Sequence, residues 1–302
     1  MDDLDFSGKT SNPTRKPVAE PRRSAEPASL YQPKLALEFF RVAGTPEQFP
    51  AGKQIFAENE KSGGFFSKGA RIYLVLEGEI ALTLQGKPLE LVLAGEIFGE
   101  MATLSDIPRS ATATARKNCR VLSLDEKQFL HSMQQMPEFA LMLMSIMAQR
   151  LRRSVVKLAK SGKPAVAVLV HENTLDKKML RDLQRELGDP PPTVAHAGQN
   201  VVTQGAVGAC MFVVTQGRIA ISVGDMVIEH VGPGGVFGEM ALVDRTARSA
   251  TATAETESAW LLIAHGDFLS MVKAKPGFGI ALLRSMSSRV QHIDKLLRNA
   301  SQ

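Results

Sequence analysis

Along the chain, short apolar runs alternate with turn residues, and the pattern then gives way to helical spacing; this happens twice. Arg71–Leu76, Glu79–Leu84, Leu89–Leu93 and Val121–Leu124 are runs of strand length bounded by Gly, Pro or Asn. Such runs predict strands of a β-sandwich or barrel. Gly78 and Gly217 fall between apolar runs, where a strand bends or is interrupted. After Phe129, and again after Phe268, apolar residues recur at helical spacing. Pro137 and Pro276 suit the first turn of a helix, so Pro137–Lys160 and Pro276–Asn299 are predicted as long helices. Further helices are predicted at Leu30–Ala43 and Asp176–Leu187, the second stopped by Pro190-Pro191-Pro192. Residues 1–29 are rich in Ser, Thr, Pro and balanced charge, which predicts a disordered tail.

The doubling is a true internal repeat. Residues 98–115 (FGEMATLSDIPRSATATA) and 237–254 (FGEMALVDRTARSATATA) agree at 12 of 18 positions at an offset of 139, and every difference lies in one block, 103–108 against 242–247. The offset continues through Phe129 and Phe268, Pro137 and Pro276, Phe139 and Phe278, and Arg150 and Arg289. Near the start it becomes 146, because the first copy carries seven extra residues around Lys61–Ala70. A length change in a turn between strands is how two diverged copies of one domain differ. The expected organisation is a tail at 1–29, one domain at 30–162 and a second at 163–302.

Composition changes this picture little. In 302 residues, 44% are apolar and 22% charged, as in ordinary globular proteins. Two cysteines, Cys119 and Cys210, cannot build a disulfide framework, and a cytoplasmic protein is the expectation. The longest apolar run, Phe139–Ala148, is too short to span a bilayer. Charge is more telling by segment: both domains balance, and the net +5 belongs to 137–165, where six basic residues face only Glu138. The methionines and basic residues of helix 139–160 pack against the chain's own roll or a dimer mate, or offer a docking surface for an acidic partner protein. Phe65-Phe66, between glycines at a predicted hairpin tip, either folds back or touches a partner or membrane.

The repeated segment carries the chemistry. A short helix opening at Gly99-Glu100 presents unpaired backbone N–H groups and a positive dipole end, which favour an anion. Arg109, nine residues after Glu100, adds a permanent planar charge suited to phosphate oxygens, and Ser110 adds a hydroxyl. A carboxylate is repelled by phosphate, so Glu100 must serve another group, such as a sugar hydroxyl. Phosphate with ribose means a nucleotide in the mouth of a β-barrel. The plainer alternative is a Glu–Arg ion pair at a turn. Against it, both copies keep Gly, Glu, Arg and Ser while the block between them changed.

The stretches Gly95-Glu-Ile-Phe-Gly-Glu-Met-Ala…Pro-Arg-Ser-Ala-Thr-Ala and Gly235-Val-Phe-Gly-Glu-Met-Ala…Ala-Arg-Ser-Ala-Thr-Ala resemble the phosphate-binding cassette of cyclic nucleotide-binding domains. That family includes the catabolite activator protein and the kinase A and G regulatory regions. The resemblance implies a mainly β fold with flanking helices: two jelly-roll-like β-rolls of eight strands in tandem, each with a C-terminal lid helix. It also implies that Glu100 and Glu239 bind the ribose 2′-hydroxyl and that Arg109 and Arg248 bind the cyclic phosphate. Ser110 and Ser249 would support the phosphate, with the backbone around Gly99, Met101, Ala102, Gly238, Met240 and Ala241. Ser154 on the first lid helix is placed to reach a base. The ligand implied is cyclic AMP, favoured over cyclic GMP, with no other cofactor and no metal.

The output is expected to be a change of protein partner, with a homodimer through the lid helices as a further expectation. The 27 residues from Pro276 onward are taken up by the second lid helix and leave no room for a helix-turn-helix, so direct DNA binding is not expected. Scattered histidines and the absence of nucleophile motifs give no enzyme. Arg22-Arg23-Ser24-Ala25 is similar to the pseudosubstrate pattern of kinase regulatory subunits, although Glu26 follows where an apolar residue is expected. Two other readings stay open: a scaffold with non-binding cassettes, and a DNA-associated regulator without its own DNA-binding module.

Overall fold

The computed structural model describes residues 31–60, 70–105, 108–161 and 168–300. The tail, the Phe65-Phe66 insertion and the Arg22–Ala25 segment lie outside the described residues, as does most of the link between the two copies.

The first copy runs α1 (Pro33–Ala43), β1 (Thr45–Phe49), β2 (Gln54–Phe56), β3 (Ile72–Glu77), β4 (Glu79–Leu84), β5 (Lys87–Leu93), β6 (Ile97–Phe98), α2 (Glu100–Ser105), β7 (Thr112–Ala115), β8 (Cys119–Leu124), α3 (Glu126–Gln135) and α4 (Glu138–Ser161). The second opens with β9 (Leu169–His171) and α5 (Lys177–Glu186). It continues through β10 (Thr193–Ala195), β11 (Asn200–Val202), β12 (Cys210–Gln216), β13 (Ile219–Val223), β14 (Met226–Val231), β15 (Val236–Phe237), α6 (Glu239–Asp244), β16 (Thr251–Ala254), β17 (Ser258–Ala264), α7 (His265–Ala274) and α8 (Pro276–Ala300).

Among the described residues, each roll has eight strands in two four-stranded sheets of the same order. These are β1-β8-β3-β6 and β2-β7-β4-β5 in the first copy, and β10-β17-β12-β15 and β11-β16-β13-β14 in the second. The second roll gains one strand, β9, which pairs parallel with β14. The alternation in Thr112-Ala113-Thr114-Ala115 and in Thr251-Ala252-Thr253-Ala254 is realised as drawn, with the alanines buried and the threonines half-buried. Strand β3 is apolar on both faces because it divides two cores. Tyr73 and Val75 face the interior of the roll, while Ile72 and Leu74 face the helices. Gly78 and Gly217 turn the chain between strands with φ of +93° and +80°. A Cβ on Gly78 would lie 2.5 Å from Cys119 Sγ.

The predicted helices form, with shifted ends. The helix expected after Phe129 begins earlier, at Glu126, because Asp125 and Gln128 close a reciprocal capping box. Asp176 caps α5 by accepting from the N–H groups of Lys178 and Met179.

The two copies share one helical core. Phe39 stacks on Phe139 at 3.7 Å, and α4 and α8 run along each other through Met144, Met147, Leu151, Met286 and Val290. Each long helix also crosses to the other copy. Helix α4 packs on α6, and α8 packs on α2 and α3. Arg284 on α8 is ion-paired with Glu126 on α3, and Ser287 Oγ lies 3.5 Å from the Met101 carbonyl oxygen. Each long helix therefore stays against its own roll while also packing on the cassette helix of the other copy.

Met142, Met144 and Met147 are buried, and Arg150 and Arg152 are ion-paired within the chain. The apolar face of helix 139–160 thus packs within the chain, one of the two readings given above, while Arg153, Lys157 and Lys160 of the same helix stay exposed.

Candidate functional site

Each cassette begins where a two-residue strand ends in a left-handed glycine. Gly99 and Gly238 have φ of +82° and +80°, and each lies against the guanidinium of its own copy's cassette arginine. A Cβ on Gly99 would lie 2.8 Å from the Arg71 carbonyl oxygen and 2.9 Å from Arg109 Nη1, so only glycine fits.

The arginines are held identically. Arg109 Nη1 donates to the Gly99 carbonyl at 2.9 Å and Nη2 to the Arg71 carbonyl at 3.0 Å. Arg248 makes the matching bonds to the Gly238 and Cys210 carbonyls, both at 2.7 Å. An aromatic ring backs each one, Phe56 at 4.0 Å from Arg109 and Phe212 at 5.5 Å from Arg248. Burial lowers the pKa of Arg109, opposed by Tyr73, Glu60 and Glu100, yet a guanidinium stays charged at any working pH. Both sites therefore hold a fixed cation that, among the described residues, has no ion-paired carboxylate. The Glu–Arg turn pair considered from the sequence does not form.

All twelve sequence-predicted residues line two cavities, six in each. Gly99, Glu100, Met101, Ala102, Arg109 and Ser110 line one of about 740 Å³. Gly238, Glu239, Met240, Ala241, Arg248 and Ser249 line another of only about 80 Å³. The first lies in the size range of small-molecule pockets, and the second is far below it. The walls of the large cavity also include Tyr31, which donates to the Gly95 carbonyl, and Ser154, Gln291 and Asp294 from the paired long helices. Ser154 Oγ donates to Asp294 Oδ1 at 2.9 Å, so the residue expected near a base is at the cavity wall, tied to the other copy's helix.

A buried ionic cluster lines the smaller cavity. Arg289 on α8 donates to both carboxylate oxygens of Glu229 at 2.9–3.1 Å and to Glu239 Oε1 at 2.8 Å. Its Nη2 also reaches the Val236 carbonyl. His171 Nδ1 lies 3.0 Å from Glu229. Burial alone would raise the carboxyl of Glu229, but Arg289 and His171 override it and hold the pKa at about 2. Burial alone would likewise lower the pKa of Arg289, and the two carboxylates drive it upward instead.

Sequence reasoning missed Glu229, Arg289 and Asp294. The signal for the first two was present, since Glu229 stands 139 residues after Glu90 and Arg289 the same distance after Arg150. Asp294 had no such signal, because Val155 occupies its counterpart position in the first copy.

A family model described as the cyclic nucleotide-binding domain matches residues 46–136 and 192–275, more than half of the chain. The chain belongs to the cyclic nucleotide-binding domain family. It carries two copies of that domain in tandem. It is similar to the cAMP-dependent protein kinase regulatory subunit of Eremothecium gossypii, 28% identical over 63% of this chain and 37% of that one. It is also similar to the Cyclic AMP receptor protein of Thermus thermophilus, 32% identical over 41% of this chain and 55% of that one. The chain thus spans between about a third and just over half the length of these relatives. Among solved structures, cAMP-bound PfPKA-R (141-441) matches with 21% identity and a TM-score of 0.33, covering 85% of this chain and 80% of that one. Among the described residues, no helix is long and apolar enough to cross a membrane.

Proposed function

We propose that this chain is a non-enzymatic cytoplasmic receptor for a cyclic nucleotide, with one site in each copy. Binding is relayed through the paired long helices to a protein partner. The observation that carries the reading is the cavity of about 740 Å³ into which Glu100, Arg109 and Ser110 converge beside the N-terminus of α2. A fixed guanidinium and the N-terminal end of α2 suit the cyclic phosphate, and Glu100 suits the ribose hydroxyl. Glu239, Arg248 and Ser249 repeat the set in the second copy.

Cyclic AMP is favoured over cyclic GMP. The two sequence relatives described above carry cyclic AMP in their names, and Ser154 stands at the wall of the larger cavity as a hydroxyl for the base. What supports the relay is that each cassette helix packs on the other copy's long helix, α6 on α4 and α2 on α8.

Calorimetric titration of cyclic AMP and cyclic GMP, each alone, into the full chain tests this. Saturable binding of cyclic AMP, weaker binding of cyclic GMP and loss of binding in the Arg109→Ala, Arg248→Ala double variant are expected. No heat from either nucleotide overturns the reading in favour of a scaffold.

A further inference from the structure

The two copies contain the same ionic parts in two different arrangements, and one residue accounts for the difference. In the second copy Arg289, 7% exposed, bridges Glu229 and Glu239 and thereby occupies the cassette carboxylate. At the same repeat positions the first copy has Glu90, Glu100 and Arg150. There the arginine turns the other way. Arg150 Nη2 is 3.0 Å from Asp294 Oδ2, with 43% of its side chain exposed. Asp294 belongs to α8, the long helix of the second copy, and also accepts from Ser154.

The helix pair is related by the repeat, so the counterpart of Arg150 facing Asp294 is Arg289 facing Val155. Val155 is buried and lines the same small cavity as Arg289. A valine offers no acceptor. The buried guanidinium must find its acceptors elsewhere, and the nearest are the two carboxylates of its own copy.

We propose that Asp294 is a positioning residue that holds Arg150 off the first cassette and keeps that site open, while the apolar Val155 leaves Arg289 free to latch the second. The chain is then an ordered receptor in which the first site takes ligand at once and the second binds only the unlatched fraction. An affinity measured against a fractionally open site is weakened by that fraction. This inference rests on both cassettes being nucleotide sites.

The test uses the full chain. Titration of cyclic AMP into Arg248→Ala reads the first site, and titration into Arg109→Ala reads the second. The first is expected to bind at least about tenfold more tightly, the scale of a modest population tax. Adding Val155→Asp to the Arg109→Ala chain should tighten the second site, because Arg289 gains a competing acceptor. Adding Asp294→Val to the Arg248→Ala chain should weaken the first. Val155→Asn, neutral and nearly the same size as aspartate, should act in the same direction with less risk to folding. Equal affinities, or a Val155→Asp chain whose second site weakens, overturns the latch, since Arg289 would then be supporting Glu239 for ligand. Arginine side-chain NMR in the absence of nucleotide provides a separate reading. A restrained Arg289 guanidinium that Val155→Asn or Val155→Asp releases supports the latch, and an unchanged signal overturns it. If no nucleotide binds at all, the function proposed above falls while this NMR result still decides the latch.

Discussion

Arg152 of the first copy's long helix forks onto Asp244 of the second copy's cassette helix, with Nε 2.6 Å from Oδ2 and Nη2 2.9 Å from Oδ1. A further bond reaches the Ala247 carbonyl at 2.7 Å, one residue before Arg248. The contact therefore joins a helix that lines one cavity to the turn that presents the cassette arginine of the other. It is a physical link between the sites, made from a residue whose charge alone had suggested an external partner.

Because the Asp244 side chain is only 3% exposed, removing Arg152 strands a buried carboxylate. Arg152→Ala is expected to destabilise the chain by about 2–3 kcal/mol, below the range for fully buried pairs because the arginine is partly solvated. The Arg152→Met, Asp244→Leu pair should cost less than the single change. Urea unfolding monitored by circular dichroism in a double-mutant cycle checks this, and strict additivity would contradict it.

The cassette arginines give the most direct functional prediction. Arg109 is 6% exposed, fixed by two carbonyls and backed by Phe56, so its loss removes the cationic centre without an obvious substitute. Arg109→Ala should weaken cyclic nucleotide binding at the first site by about 2–5 kcal/mol, the range for losing one partner of a buried charge pair. Calorimetry in the Arg248→Ala chain isolates that site. Arg109→Lys should recover only part of the loss, because an ammonium cannot reproduce the forked bonds.

How far the sequence could be read depended on whether a feature was local. The residues at 99–102 and 109–110 were legible because a turn, a short helix and an arginine nine residues later form one contiguous unit, and the repeat showed which of its positions mattered. The eight-stranded rolls followed from the family resemblance, and the ends of Glu79–Leu84 from the bounding glycine and turn. What stayed hidden depends on contacts between distant segments. Arg150 and Arg289 are the same residue at the same repeat position, yet they face different acceptors because Asp294 opposes one and Val155 the other. The excess charge at 137–165 was equally visible and equally ambiguous. Only the packing shows that Arg150 and Arg152 are spent on Asp294 and Asp244.

The Glu229 cluster predicts acid sensitivity confined to the second copy. Glu229 faces Arg289, His171 and, across the guanidinium, Glu239. Its pKa in the fold is about 2 against an ordinary value of 4.5. A carboxyl depressed on folding contributes stability that is fully present above its unfolded pKa and is lost as pH falls through the folded one. The contribution, roughly 3 kcal/mol, should therefore disappear between about pH 5 and pH 2. Glu229→Gln should flatten this part of the stability profile, with the melting temperature measured across that range as the check. An unchanged slope would mean that other carboxylates dominate acid unfolding.

Gly217 offers a test of the backbone itself. It has φ of +80°, and a Cβ there would overlap the Glu257 carbonyl oxygen and the Ser258 side chain. Gly52, with φ of +83°, has nothing within 4 Å of its Cβ position. Gly52→Ala carries only the left-handed backbone penalty of about 1–2 kcal/mol. Gly217→Ala adds a steric conflict with backbone that cannot swing aside, so it should cost more, about 3 kcal/mol or above. Because Ser258 opens β17, which pairs with both β10 and β12, the damage should spread into that sheet. Amide exchange should then accelerate in β12 and β17 of the Gly217→Ala chain and stay unchanged in the first copy's roll. Equal melting temperatures for the two variants would show that the φ angle alone sets the requirement for glycine at this turn.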